Sequence, residues 1–331
     1  MNSFGRTFRM SIFGESHGPA VGILIDGCPA GMELSQGDFL GDLERRKGGG
    51  AGKTDRVESD LPYVESGLWE GRTTGAPLLI RFANEDVRSQ DYANFKRMPR
   101  PGHADFCAAK KFGGWQDARG GGHFSGRLTL GLVAAGVIAK KMIEPATVSA
   151  RLVEVGGDEN PSRAVERAAS DGDSVGGLIE CEVLSVPVGL GEPFFDSVES
   201  LLAHVLFSIP AVKGVEFGAG FQSARMRGSE CNDVLENIEG RTATNHSGGI
   251  NGGLTNGNPV RLRAAVKPTS SIPLAQKTIH LETGESADLR IGGRHDTCIA
   301  LRMPVIVEAA TAIVFADLLL QEQKIGRIVP A

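Results

Sequence analysis

The chain has 331 residues, with 40 Asp and Glu against 35 Lys and Arg, a formal charge of −5 and a pI of about 5.9. That balance argues against a general nucleic-acid binder, which carries a broad basic surface, and the length suffices for one large or two ordinary domains with a sizeable core. Five scattered cysteines without a C-x-x-C pair fit reduced thiols in a cytoplasmic protein and give neither a zinc nor a disulfide framework. The first residues, "MNSFGRTFRMSIFGESHG", lack the apolar core of a signal peptide. Residues 21–26, "VGILID", read as a strand ending at a turn that contains Pro29. Ser35 with Asp38 three residues on is a capping pattern, and it predicts a short polar helix over "QGDFLGDLERR".

The helix runs into "RRKGGGAGKTDR", residues 45–56, which imitates a nucleotide-binding loop. A P-loop needs four residues between its first Gly and the Gly-Lys pair. That position is Lys47, and no buried apolar strand precedes the loop, so the P-loop reading fails. Arg45, Arg46, Lys47, Lys53 and Arg56 still suit an anion. Further on, residues 64–83 read as a hairpin around "GRTTGAP". Residues 126–143 read as a long, largely buried helix ending in lysines, which suit a helix C-terminus. "LIECEVLSV" alternates as a strand, "DSVESLLAHVLFSI" has helical spacing with an Asp at its start, and "PVRLRAAV" alternates as a half-buried strand. Residues 304–323 form a last helix. Its apolar run carries Glu308 and Asp317, so it reads as a core helix and not a membrane span. Strands and helices mix without a βαβα rhythm, and no G-x-G-x-x-G follows a strand, which excludes a Rossmann domain. One compact α+β domain over residues 1–331 is predicted.

Forty-five glycines are about twice the usual frequency of about 7%. They cluster between apolar segments, as at Gly120–Gly122, which suits tight turns whose backbone N–H groups approach a ligand. Of seven histidines, His17, His103, His246 and His295 lie in polar, Gly-bearing surroundings, where a side chain titrating near neutrality can move protons. His204 sits in a helical run and His280 in a strand-like one; both read as structural. No pair has metal spacing. "KPTSSI", Lys267–Ile272, offers an ammonium, three hydroxyls and several amides to a phosphate or another polar cofactor group.

Taken together, "FGESHGPAVG", "DLERR", "GLWEGRTTGAPL", "RSQDYAN", "RPGHADF", "DARGGG", "LVAAGVIAKK", "GLGEPFFD", "IPAVKGVEFG", "NHSGGINGGLTNG", "AAVKPTSSI" and "GRHDTC" resemble the chorismate synthase family, in order, from about residue 4 to residue 322. The resemblance implies a single-domain β-α-β sandwich. It implies trans-1,4-elimination of phosphate and a ring proton from 5-enolpyruvylshikimate 3-phosphate. Reduced FMN would be needed without net redox change. It also implies a homotetramer, with NADPH or an external flavin reductase serving only to reduce the flavin. By motif, His17 would hold a proton beside the flavin and His103 would protonate the leaving phosphate. Asp296 with Ser16 and Ser125 would relay a proton at the flavin. FMN contacts would come from His123, Phe124, Ser125, Pro210, Ala211, Gly252, Lys267, Pro268, Thr269, Ser270, Ser271 and Arg294; Arg46, Arg100 and Arg127 would meet the substrate's anions. Neither a membrane nor a nucleic acid is implied as partner.

The chain departs from the family pattern at "GGGHFSGRLT". There His123 stands for an Arg, Phe124 for a Ser and Leu128 for a Glu. These changes imply weaker or altered flavin binding. They are also the support for an alternative, a non-catalytic relative that binds flavin or a phosphate ligand.

Overall fold

The computed structural model describes residues 2–56, 58–87, 94–293 and 295–323. Its first sheet is antiparallel and is built from β1 (Ser3–Phe4), β2 (Arg9–Gly14), β3 (Ala20–Asp26), β4 (Tyr63–Ser66) and β5 (Leu78–Ala83), in the spatial order β1-β2-β3-β5-β4. Strand side chains alternate between faces. Val21, Ile23 and Ile25 on β3 and Leu78, Ile80 and Phe82 on β5 are accordingly all inaccessible to solvent, with Ile23 opposite Ile80. The second sheet is also antiparallel: β6 (Thr147–Val155), β7 (Gly177–Leu184), β8 (Val212–Phe217) and β9 (Val260–Val266), in the order β8-β9-β7-β6.

The principal helices are α1 (Gln36–Arg46), α2 (Asp105–Phe112), α3 (Thr129–Met142), α4 (Pro161–Ser170), α5 (Val198–Ser208) and α6 (Pro304–Gln321). Helix α3 packs on the first sheet, α6 packs on β6 and β7 of the second, and the two helices pack on each other. This is a sheet–helix–sheet sandwich, as expected. Small residues make the close approach possible: a Cβ on Gly136 of α3 would collide with the Cβ of Ala309 on α6.

The local chemistry explains the element ends. Asp38 accepts the backbone N–H of Ser35 at 2.7 Å, so α1 starts where the capping pattern predicts. Helix α3 starts three residues later than expected. A single 3₁₀ turn, Gly126–Leu128, comes first, and the Ser125 hydroxyl caps it by accepting from Arg127. Asp196 does not cap α5; Ser197 does, at 3.1 Å from the Ser200 N–H, while Asp196 pairs with Arg6. The interval 64–83 is more than one hairpin, since a short ladder, Leu68–Trp69 with Arg72–Thr73, interrupts it.

Helix α6 has 18 residues with mean hydropathy 1.7, long and apolar enough to cross a membrane, but 83% of it is buried inside the fold. Its two acids explain themselves. Glu308 accepts from Arg45 at 2.6 and 2.7 Å, Lys140 at 2.8 Å and the Ala150 N–H at 2.9 Å. Asp317 accepts the N–H groups of Arg6, Thr7 and Phe8 at 2.7–2.9 Å. Both are buried charges with full sets of partners, the condition under which burial is tolerated.

Candidate active site

Loops from both sheets meet around a cleft of about 560 Å³, a size typical of cofactor and small-molecule sites. One side comes from the segment after β2, the loop after α1 and the start of α3; the other comes from the C-terminal end of α5, the entry to β8 and the exit from β9. Among the described residues, eight Lys and Arg line it against three Asp and Glu, a formal excess of five positive charges in a chain whose total is −5. The cleft therefore concentrates positive potential against the sign of the whole molecule, as an anion site requires.

The glycine triplet is the hinge of the site. Gly120, Gly121 and Gly122 all have positive φ (59°, 83° and 55°). A Cβ on Gly120 would meet the His17 ring at 2.5 Å and Ser16 Oγ at 2.9 Å, and one on Gly121 would touch His103 Nε2 at 3.4 Å. The two histidines thus flank one stretch of bare backbone; a Cβ at Gly120 would collide with His17, whereas one at Gly121 would make ordinary contact with His103 and be strained by its φ of 83°.

His17 is buried beneath Gly120, beside the cleft-lining Ser16. Burial, then the charges of Arg56 and Arg119, push its pKa below the ordinary value of 6.5. Ser16 is fully buried and accepts from Arg56 at 2.9 Å through its hydroxyl and at 3.1 Å through its carbonyl. His103 presents Nδ1 to Asp105 at 2.6 Å and to Arg100 at 3.0 Å.

The arginines expected to meet substrate line the cleft, but each carries protein partners. Arg46 donates to Asp60 at 3.1 Å and to Thr129 at 3.3 Å, while its buried Nε has no partner. Burial pushes it down to about 10, against the pull of Asp60, so it stays cationic at neutral pH. Arg127 donates to the other oxygen of Asp60 at 2.5 Å, to Asn84 at 2.8 Å and to the Ala83 carbonyl at 3.0 Å. Arg100 forms a two-pronged pair with Asp105, at 2.8 and 2.9 Å, and reaches Ser271 at 3.1 Å. That fork leaves Arg100 little capacity for a ligand, and its evident work is to hold Asp105.

The last residue of α1, Arg46, and the glycine-rich loop after it, through Lys47, Gly48, Thr54 and Arg56, contribute to the lining. The Thr54 N–H donates to Asp296 at 3.1 Å and Gly52 accepts the Cys298 N–H at 3.0 Å, so the loop is stitched to the "RHDTC" segment. The second oxygen of Asp296 accepts from Arg302 at 2.9 Å. Asp296 lines the cleft with Ser16 and Ser125, but it is bonded to Thr54 and Arg302, and no hydrogen bond joins it to either serine.

The opposite wall is "KPTSSI" with Pro210 and Ala211. Lys267 donates to the Gly102 carbonyl at 2.7 Å and to Ser270 at 2.6 Å. Burial, then the neighbouring charge of Lys213, lowers its pKa. The Thr269 hydroxyl is buried without a partner. His123 also lines the cleft and is held by the Gly14 carbonyl at 2.8 Å and the Asn2 side chain at 3.1 Å. Phe124 is 40% exposed at the wall, 6.3 Å from the Phe112 ring.

One expected residue lies elsewhere. Gly252 is an exposed turn of the Ile250–Asn251 and Leu254–Thr255 ladder, with nothing near its would-be Cβ. Its neighbour Gly253 accepts the Val198 N–H at the start of α5, whereas the cleft touches the other end of that helix at Phe207 and Ser208. Roughly 15 Å of helix separates the two. Arg294 lies outside the described residues. Sequence reading missed Glu58, Asp60, Lys213 and Arg302. For Glu58, Asp60 and Arg302 the only signal was charge; Lys213 stood inside the quoted segment "IPAVKGVEFG".

Comparison with known proteins now has a geometry to attach to. The family model described as chorismate synthase matches residues 8–320. The chain belongs to the chorismate synthase family. A chorismate synthase of Chitinophaga pinensis is 58% identical over 329 residues, 99% of each chain. One of Korarchaeum cryptofilum is 44% identical, covering 97% of this chain and 98% of its own. A crystal structure of a chorismate synthase superposes with a TM-score of 0.72 at 25% identity, covering 98% of this chain and 95% of its own. Whole-length similarity of this degree supports the lyase function of the chorismate synthase family and does not favour a binding-only relative.

Proposed function

We propose that this cleft converts 5-enolpyruvylshikimate 3-phosphate to chorismate by trans-1,4-elimination of phosphate and a ring proton, with reduced FMN as cofactor. The observation that carries the reading is a pair of histidines on either side of bare glycine backbone, His103 lining and His17 buried beside a pocket whose positive charge opposes that of the chain. Substrate and cofactor both carry phosphate, and the substrate adds two carboxylates. When bound, the flavin supplies an electron that helps phosphate depart and is recovered as the ring hydrogen leaves.

The residues present suit that cofactor. Lys213 and Lys267 offer charge that no carboxylate among the described residues neutralises. Thr269 offers a buried hydroxyl without a partner, and Pro210, Ala211 and Phe124 offer apolar surface for a planar ring. Arg46 keeps one unpartnered donor for a substrate anion.

His103 would protonate the leaving phosphate. His17, neutral in the ligand-free site because of burial, Arg56 and Arg119, gains proton affinity when an anion comes beside it. The paired arginines around Asp60 and Glu58 form a fixed frame against which substrate would be oriented. Asp296, Ser16 and Ser125 share the lining, so a proton relay between them runs through bound ligand or water and not through direct contact. We place the enzyme in the cytoplasm as a homotetramer. Reduced flavin would come from an external reductase. An assay with NADPH and FMN but no chemical reductant should be inactive.

The reading is tested by incubating the protein anaerobically with substrate and chemically reduced FMN and following chorismate absorbance. Turnover is expected, and His103→Ala should lower kcat by about 10²–10⁴, the usual worth of a general acid. Tight substrate binding with no turnover in the parent protein would instead favour a binding-only role.

A further inference from the structure

We propose that Asp105 is a positioning residue: it holds the Nδ1–H tautomer of His103, so that Nε2 is the atom through which this histidine exchanges its proton. The functional half of the proposal rests on His103 acting as proton donor; the tautomer half does not.

The argument is one of donors and acceptors. Nδ1 of His103 lies 2.6 Å from Asp105 Oδ1 and 3.0 Å from Arg100 Nη2. A guanidinium can only donate, and an ionised carboxylate can only accept. Nδ1 therefore cannot satisfy both neighbours. Carrying hydrogen, it donates to Asp105. Bare, it would accept from Arg100 while facing carboxylate lone pairs at 2.6 Å.

Asp105 decides the matter because its charge is fixed. Arg100 grips both its oxygens through side-chain donors at 2.8 and 2.9 Å, and the Arg100 backbone N–H adds a bond at 3.1 Å. Asp105 is also the first residue of α2, where the helix dipole favours negative charge. Burial pushes its carboxyl up, but the hydrogen bonds from Arg100 and His103 outweigh burial and hold it well below the ordinary carboxylate range.

The clamp is anchored on its far side. The Arg100 guanidinium lies 4.5 Å over the Phe95 ring and donates to Ser271 at 3.1 Å. With Nδ1 committed, the opposite nitrogen is the one that touches the glycine triplet, 3.4 Å from the would-be Cβ of Gly121. The imidazolium that must exist before proton transfer keeps the same Nδ1–H bond to Asp105 and turns Nε2–H toward the glycine backbone. The step transfers one proton from Nε2 to a phosphate oxygen, while the Nδ1 proton stays bonded to Asp105.

The test uses ligand-free protein labelled with 15N-histidine, with His103 assigned by the signals lost in His103→Gln. Long-range 1H–15N correlation at neutral pH should show the Nδ1–H form in the parent and a shift toward Nε2–H in Asp105→Asn. The Nε2–H form in the parent overturns the proposal without recourse to any variant. In turnover, Asp105→Asn should lose about a hundredfold in kcat, with KM within about threefold. A switched tautomer with unchanged kcat overturns the positioning role. Full activity in His103→Ala would overturn the assignment of His103 as donor while leaving the tautomer result standing, which separates the two claims.

Discussion

On one side of the cleft Arg46, Arg56 and Arg127 each hold a carboxylate, Asp60 or Glu58, at 3.1 Å or less. On the other side Lys267 holds only a carbonyl and a hydroxyl, and Lys213 presses a like charge toward it. Both walls are basic, yet they can do different things. The arginine wall is mostly buried and each guanidinium is paired, three of them to two carboxylates; its planar forks are fixed in place and give shape more than free charge. On the lysine wall, burial and then the charge of Lys213 lower the proton affinity of Lys267. On the proposed reading a dianionic phosphate would be drawn to the lysines and oriented against the arginines.

The largest effect that could break this contrast is on stability. Asp60 serves Arg46 and Arg127 at once, so Asp60→Ala strands two buried cations. We expect a loss of about 3–5 kcal/mol in denaturant unfolding, with Lys267→Met near neutral in the same assay. Comparable losses in both would erase the distinction between the walls.

A smaller effect sharpens it through protons. His17 is held below its ordinary value of 6.5 by burial and two arginines. A lowered histidine is neutral just below pH 6.5, and an anion that raises it makes binding take up a proton. Affinity for reduced FMN should therefore rise as pH falls from about 8 to about 6.5, by at most about 1.4 kcal/mol for each tenfold gain in the proton affinity of His17. Calorimetry in buffers of different ionisation heat reads the uptake directly, and proton release on binding would contradict the account.

The smallest concerns Phe124. Phe124→Ser restores a hydroxyl but removes an aromatic face, and we expect a change in FMN affinity of a few-fold, worth about 1 kcal/mol. Equal affinity in a flavin titration would mean that this departure from the family pattern has no bearing on the cofactor.

The same contrast explains what could be read from the sequence. Part of the lysine wall is contiguous in the chain: Lys267 with the three hydroxyls of "KPTSSI" announces an anion site by composition alone, whereas Lys213 joins it from 54 residues away. The arginine wall is assembled across distance. Arg127 meets Asp60 from 67 residues away, and nothing in "RVESDLPY" distinguishes Asp60 and Glu58 from solvated acids. Arg46, Arg100 and Arg127 were legible as cations but not as paired cations, because a partner is a fact of tertiary contact. For the same reason Gly252 read as a cofactor turn, whereas helix α5 holds it away from the cleft. The fold class was legible because apolar runs such as "VGILID" and "IVEAATAIV" stand at strand and helix length between polar, glycine-bearing segments. β6 was not read as a strand, because its exposure alternates only weakly along nine residues.

The most direct test of the central claim is equilibrium binding of reduced FMN and of substrate to Lys213→Met/Lys267→Met beside the parent protein. Removing both charges should weaken each phosphate ligand by at least about tenfold while thermal unfolding stays unchanged. Parent-like affinity for both ligands in a folded double variant would contradict the claim that the lysine wall receives the anions.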